Sequence, residues 1–81
     1  MSYTVYVLYS ANHNRHYTGY SSDFARRLQS HNELGTKGYT VRYRPWKVIL
    51  IEEYADKQAA IAREKWLKSG VGRLYIKSLD H

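Results

Sequence analysis

The 81-residue chain carries 13 Lys and Arg against 7 Asp and Glu, a formal charge of +6, and it has no cysteine. A chain of this length buries only about 60% of the surface it exposes when unfolded, so a single domain over residues 1–81 with a thin core is expected, and no disulfide or thiolate–zinc framework can reinforce it. The aliphatic run Val48–Ile49–Leu50–Ile51 is too short to span a bilayer and no cationic leader precedes an apolar stretch, so the expectation is a soluble cytoplasmic protein away from membranes.

From Tyr3 to Ser10, β-branched and aromatic residues alternate with a period of two, which places Tyr3, Val5, Val7 and Tyr9 on one face of a strand and Thr4, Tyr6 and Leu8 on the other. Ala11 to Arg15 is polar and tolerates turns, and His16 to Tyr20 reads as a second strand, so a β-hairpin that can bring Tyr6 near Tyr17 is the economical reading. Gly19 leaves room for a bulge or for another group to approach the backbone. Ser21 or Ser22 can cap a helix with Asp23 in its first turn, and Phe24 and Leu28 then form the buried stripe. Arg27 and His31, four residues apart, share a face at its edge, whereas Arg26 points away as a solvated or phosphate-facing charge.

Residues 32–38 read as a loop whose glycines do not form a phosphate-binding P-loop, because no Gly-Lys-Ser/Thr follows a strand. From Tyr39 to Lys47, Arg42, Arg44 and Lys47 are interleaved with Tyr39, Tyr43 and Trp46. This mixture, with Lys37 before it and Arg26 nearby in sequence, is the candidate nucleic-acid contact strip, since cations meet phosphates while aromatic rings stack on bases. The bland alternative is a loop whose rings pack and whose cations face water. Pro45 marks the start of a third strand from about Trp46 to Tyr54, and Asp56 can cap a helix from Lys57 to about Ser69 that ends before Gly70. On its wheel Ala60 and Leu67 lie within about 20° of each other, and Glu64 interrupts the apolar arc between them and Ile61. A carboxylate there needs a cation, a donor or a metal. Gly72 to Leu79 is expected to form a short last helix.

The ordered set of Tyr6 on a strand, Tyr17-Thr18-Gly19 after a turn, Arg27 and His31 on a helix and Glu64 on a later helix resembles the GIY-YIG nuclease superfamily. Within it, the chain is similar to the small stand-alone branch related to the nuclease domain of the bacterial excision-repair incision subunit. The resemblance extends through Tyr39-Thr40, Arg44-Pro45, Ala62-Arg63-Glu64 and Leu67-Lys68. It implies an α+β fold, a small three-stranded antiparallel sheet flanked by helices, and a metal-dependent endonuclease that hydrolyses nucleic-acid phosphodiesters, with DNA as substrate, in repair or recombination. By resemblance Tyr6, Tyr17, Arg27 and His31 are catalytic and Glu64 holds a single divalent ion, Mg²⁺ or Mn²⁺. One tyrosine then helps to deprotonate or orient the attacking water, which requires nearby cations to favour its phenolate.

Three departures stand out: the first motif reads Val5-Tyr6-Val7 without a glycine, no asparagine follows Asn32, and no DNA-recognition domain is attached. The last implies that sequence-specific cutting would need a protein partner to supply the targeting; a monomer or weak dimer is expected. A non-catalytic nucleic-acid-binding module, or an adaptor in a repair complex, is the competing function.

Overall fold

Alternation in the first strand builds two cores rather than one. In the computed structural model, which describes residues 2–34 and 42–79, β1 (Tyr3–Ser10) is the central strand of a three-stranded antiparallel sheet of order β2-β1-β3, with β2 at Arg15–Ser21 and β3 at Lys47–Tyr54. Val5 and Val7 face one way and are fully buried, while Tyr6 and Leu8 face the other, equally buried. The hairpin register sets Tyr6 opposite Gly19 and Leu8 opposite Tyr17. Its turn includes Asn14 at φ 51, a left-handed conformation that asparagine tolerates through its short polar side chain.

On the Tyr6 face lies α1 (Phe24–Gln29), with Phe24, Leu28, Tyr17, Tyr43 and Val48 packed against Tyr6, Leu8 and Trp46. The helix is capped by Asp23, whose carboxylate accepts from the Arg26 amide, rather than by Ser21 or Ser22 as the sequence suggested. Nor does it run regularly to His31. After Gln29 it opens into a π-helical turn, Ser30–Leu34, in which the backbone is wound more widely.

The Val5–Val7 face is covered by α2 (Lys57–Lys68) and α3 (Gly70–Ser78), whose Ala60, Leu67 and Ile76 complete the second core. Ala60 and Leu67 are both fully buried, as their shared side of the wheel requires. Asp56 occupies the cap position of α2 without a side-chain cap bond. α2 ends before Gly70, as the sequence suggested, but Gly70 is already the first residue of α3, which was expected to start at Gly72. Ser69 makes the corner, accepting from the Gly72 amide and donating to the Trp66 carbonyl. No helix among the described residues is long and apolar enough to cross a membrane.

Two glycines are fixed by close approach. A Cβ on Gly19 would lie 2.9 Å from the Tyr6 hydroxyl oxygen, and one on Gly72 would collide with the Trp66 carbonyl and stand 2.5 Å from the Leu67 Cα. Beside Gly70 there is nothing within 4 Å. Overpacking against backbone typically costs about 1–3 kcal/mol and occasionally more. Gly72→Ala is therefore expected to lose at least about 2 kcal/mol in a denaturant titration while Gly70→Ala stays within about 0.5 kcal/mol of the parent; equal effects would refute the close-approach account.

Candidate active site

The floor of the site is the Tyr6 phenol. The ring is 1% exposed, and its hydroxyl has room only because Gly19 opposite it lacks a side chain. A buried hydroxyl must find a partner, and it finds His31 Nε2 at 3.0 Å. The π-helical turn presents that imidazole to the sheet, and two clamps hold the turn. Arg44 donates to the carbonyls of His31 at 2.6 Å and Ser30 at 3.0 Å. Asn32 pairs with the Trp46 backbone in both directions, accepting from its amide at 2.7 Å and donating to its carbonyl at 3.2 Å.

Around this pair the rings of Tyr17, Phe24 and Trp46 form a continuous wall. The Tyr17 centroid is 6.3 Å from Tyr6 and 4.8 Å from His31, Phe24 lies 5.0 Å from Tyr6, and Trp46 lies 6.4 Å from Tyr17. Tyr17 is half-buried, so it connects the floor to solvent, and Arg27 on α1 is exposed at the rim. Arg27 also acts on the Tyr6 phenol, favouring its ionised form against burial. With the imidazole proton on Nδ1, the phenol donates to Nε2; the opposite tautomer reverses the bond.

Electrostatics runs opposite to the expectation that cations favour the phenolate. Burial, then the neighbouring Tyr17, push the Tyr6 phenol up to about 12, with the Glu64 carboxylate adding to the rise; Arg27 opposes them and does not win. Tyr6 is thus protonated at neutral pH. His31 is shifted down, first by burial and then by the charges of Arg27 and Arg44, which favours its neutral form.

Glu64 comes from α2, which packs against the other face of the sheet, with Leu67 beside it in the second core. Its carboxylate, 17% exposed, has Lys68 Nζ at 3.7 Å and still acts on the Tyr6 phenol, as the weakest of the influences there. Among the described residues no three His, Asp or Glu side chains converge as an ion cage. A single carboxylate nonetheless suits an ion such as Mg²⁺, which keeps waters and takes substrate phosphates as its remaining ligands. The donor set therefore fits a substrate-completed site and not a preformed one.

The proposed contact strip is broken up. Lys37 and Tyr39 lie outside the described residues. Arg26 and Lys47 are exposed, and so is Arg42, whose guanidinium stands 5.7 Å from the Tyr43 ring centroid. Arg44 is committed to the π-helical turn, and Trp46, 5% exposed, is a core residue with no face left to stack on a base. The structural importance of Asn32 has no sequence signal, because a lone loop asparagine looks alike whether it faces water or another segment.

Compared with protein-family models, the sequence matches one described as the GIY-YIG catalytic domain over residues 2–75. Among solved structures it is similar to the solution NMR structure of a UPF0213 protein from Bacillus halodurans, with a TM-score of 0.59 and 25% identity over 96% of this chain and 84% of that one. No curated protein sequence matches it.

His31 also gives the fold a pH dependence. Its unfolded value is near 6.5 and its folded value is lower, so the stability it contributes is present above pH 6.5 and is lost as pH falls through the folded value. Denaturation midpoints measured from pH 7.5 down to 4.5 should fall for the parent and fall less for His31→Gln. Parallel profiles would show that another group carries the acid sensitivity.

Proposed function

The chain belongs to the GIY-YIG family, whose matched domain is a nuclease domain, and from that premise we propose that it is a metal-dependent endonuclease acting on DNA phosphodiesters in repair or recombination. One observation carries this reading: the buried Tyr6 hydroxyl meets His31 Nε2 at 3.0 Å beside the Tyr17 ring, and Arg27 and Glu64 both act electrostatically on that phenol, so residues from two strands, a helix, a π-helical turn and a second helix bear on one group.

Hydrolysis of a phosphodiester needs a proton taken from water, counter-charge for the phosphate oxygens and stabilisation of the leaving oxygen. In the proposed reaction Tyr6 and His31 act as a proton relay. Water gives its proton to the Tyr6 oxygen as the phenol proton passes to His31 Nε2, so no free phenolate accumulates. That matters, because a phenol at about 12 is ionised in only about one molecule in 10⁵ at pH 7. Tyr17, the more accessible phenol, orients the water or a phosphate oxygen. Arg27 at the rim binds the scissile phosphate and offsets the charge that grows on it. Glu64 would hold the divalent ion, Mg²⁺ or Mn²⁺, which when bound supplies Lewis-acid stabilisation of the phosphate and leaving oxygens. Exposed Arg26, Arg42 and Lys47, with Lys37 and Tyr39, are proposed to contact flanking nucleic acid.

The purified protein should cut at least one of nicked, branched, single-stranded or duplex DNA when Mg²⁺ or Mn²⁺ is added. Arg27→Ala and Glu64→Ala should each lower the rate by about 10²–10³, the usual loss when a preorganised transition-state partner is removed, with unchanged folding by circular dichroism. Inertness on every substrate, or cutting that survives both substitutions, would count decisively against the proposal.

A further inference from the structure

Apart from the Tyr6 site, a groove of about 710 Å³ runs along β2, walled by the α2–α3 corner and lined by Arg15, Tyr17, Lys68, Arg73 and Lys77 among others. Four of these are cations, and no Asp or Glu side chain lines the groove. β2 is an edge strand, so one row of its backbone donors and acceptors is unpaired by the sheet. One end of the groove reaches Tyr17, and Lys68 on its wall is also the cation nearest Glu64. Cations spaced along an open trough, of which Lys68 meets the Glu64 carboxylate at 3.7 Å, suit a chain of phosphates better than a compact ligand.

We propose that this groove is the track for the nucleic-acid backbone, with Arg73 and Lys77 of α3 as its outer phosphate contacts and Tyr17 and Lys68 at the end nearest the reacting bond. The proposal rests on the nuclease reading for its substrate class and transfers the main contact surface from residues 37–47 to the last helix. Arg73 and Lys77 lie four apart on α3 and are both exposed, so they present two charges about one helical turn from each other. Neither residue stood out in the sequence.

The test is the salt dependence of binding, measured by fluorescence anisotropy with labelled single-stranded and duplex DNA in EDTA, so that no cleavage intervenes. Each neutralised phosphate contributes about 0.7–0.9 to the slope of log affinity against log salt. The double variant Arg73→Gln/Lys77→Gln should therefore bind with a slope shallower by roughly 1.5, and most of its affinity loss should appear at low salt. In ¹⁵N-resolved spectra of the parent, DNA should shift the amides of residues 15–18 and 73–77. An unchanged slope with unshifted amides there, or no binding by the parent, overturns the groove even if metal-dependent cutting is observed. A reduced slope together with the amide shifts supports it even if no DNA is cut, in which case the nuclease reading fails alone.

Discussion

The structure depends on a buried hydroxyl. Tyr6 brings a large ring into a core that a chain this small needs to fill, and with the ring comes an oxygen that cannot be left unpaired. Each feature of that half of the molecule answers this constraint. Gly19 provides the space, the π-helical turn brings His31 within 3.0 Å, and Asn32 and Arg44 fasten the turn so that the imidazole cannot swing away. The same burial that demands a partner also sets the chemistry, since it raises the phenol and lowers the imidazole. Phenol and imidazole are thereby each held in the neutral form, the starting state of the proposed relay.

The sheet divides labour between its faces. α2 and α3 cover Val5 and Val7 with aliphatic side chains, while the other face carries the polar aromatic cluster. Glu64 belongs by its helix to the first face and by its charge to the second. This is physically reasonable in a layer one strand thick, because a half-buried carboxylate is poorly screened by water and its field extends across the sheet. Arg63, one position earlier, has a different fate: it makes a two-bond pair with Glu52 at 2.8 and 3.1 Å and lies over Trp66. Adjacent residues on one helix thus serve a structural ion pair and the candidate site respectively.

What could be read from sequence was what local periodicity encodes. Alternation separated Val5 and Val7 from Tyr6 and Leu8, the helical wheel paired Ala60 with Leu67, and the spacing of tyrosines, arginine and glutamate pointed to the family. The π-helical turn could not be read, because Ser30 to Leu34 has no composition that disfavours an ordinary α-helix; its widening is maintained by Arg44 and Asn32 bonds that span 13 and 14 residues. Trp46 was misjudged for a related reason. Interleaved cations and rings describe an exposed stacking strip and a buried anchor equally well until the partner surface is known. The direction of the Tyr6 shift was also out of reach, since it turns on burial outweighing a nearby Arg27.

Net charge is likewise only interpretable once it is distributed. Arg63 is neutralised by Glu52 and adds little to the field a polyanion would meet, while Arg44 keeps its charge but spends donors on backbone carbonyls rather than on a phosphate. Arg15, Lys68, Arg73 and Lys77 instead border the open edge of β2. An unpaired edge normally invites strand addition by another chain, and natural proteins discourage this with charge. Here like charges around the edge repel a second copy of the same basic surface while attracting phosphates. The cations that discourage strand addition at the edge of the sheet are therefore the same ones that the proposed groove assigns to phosphates.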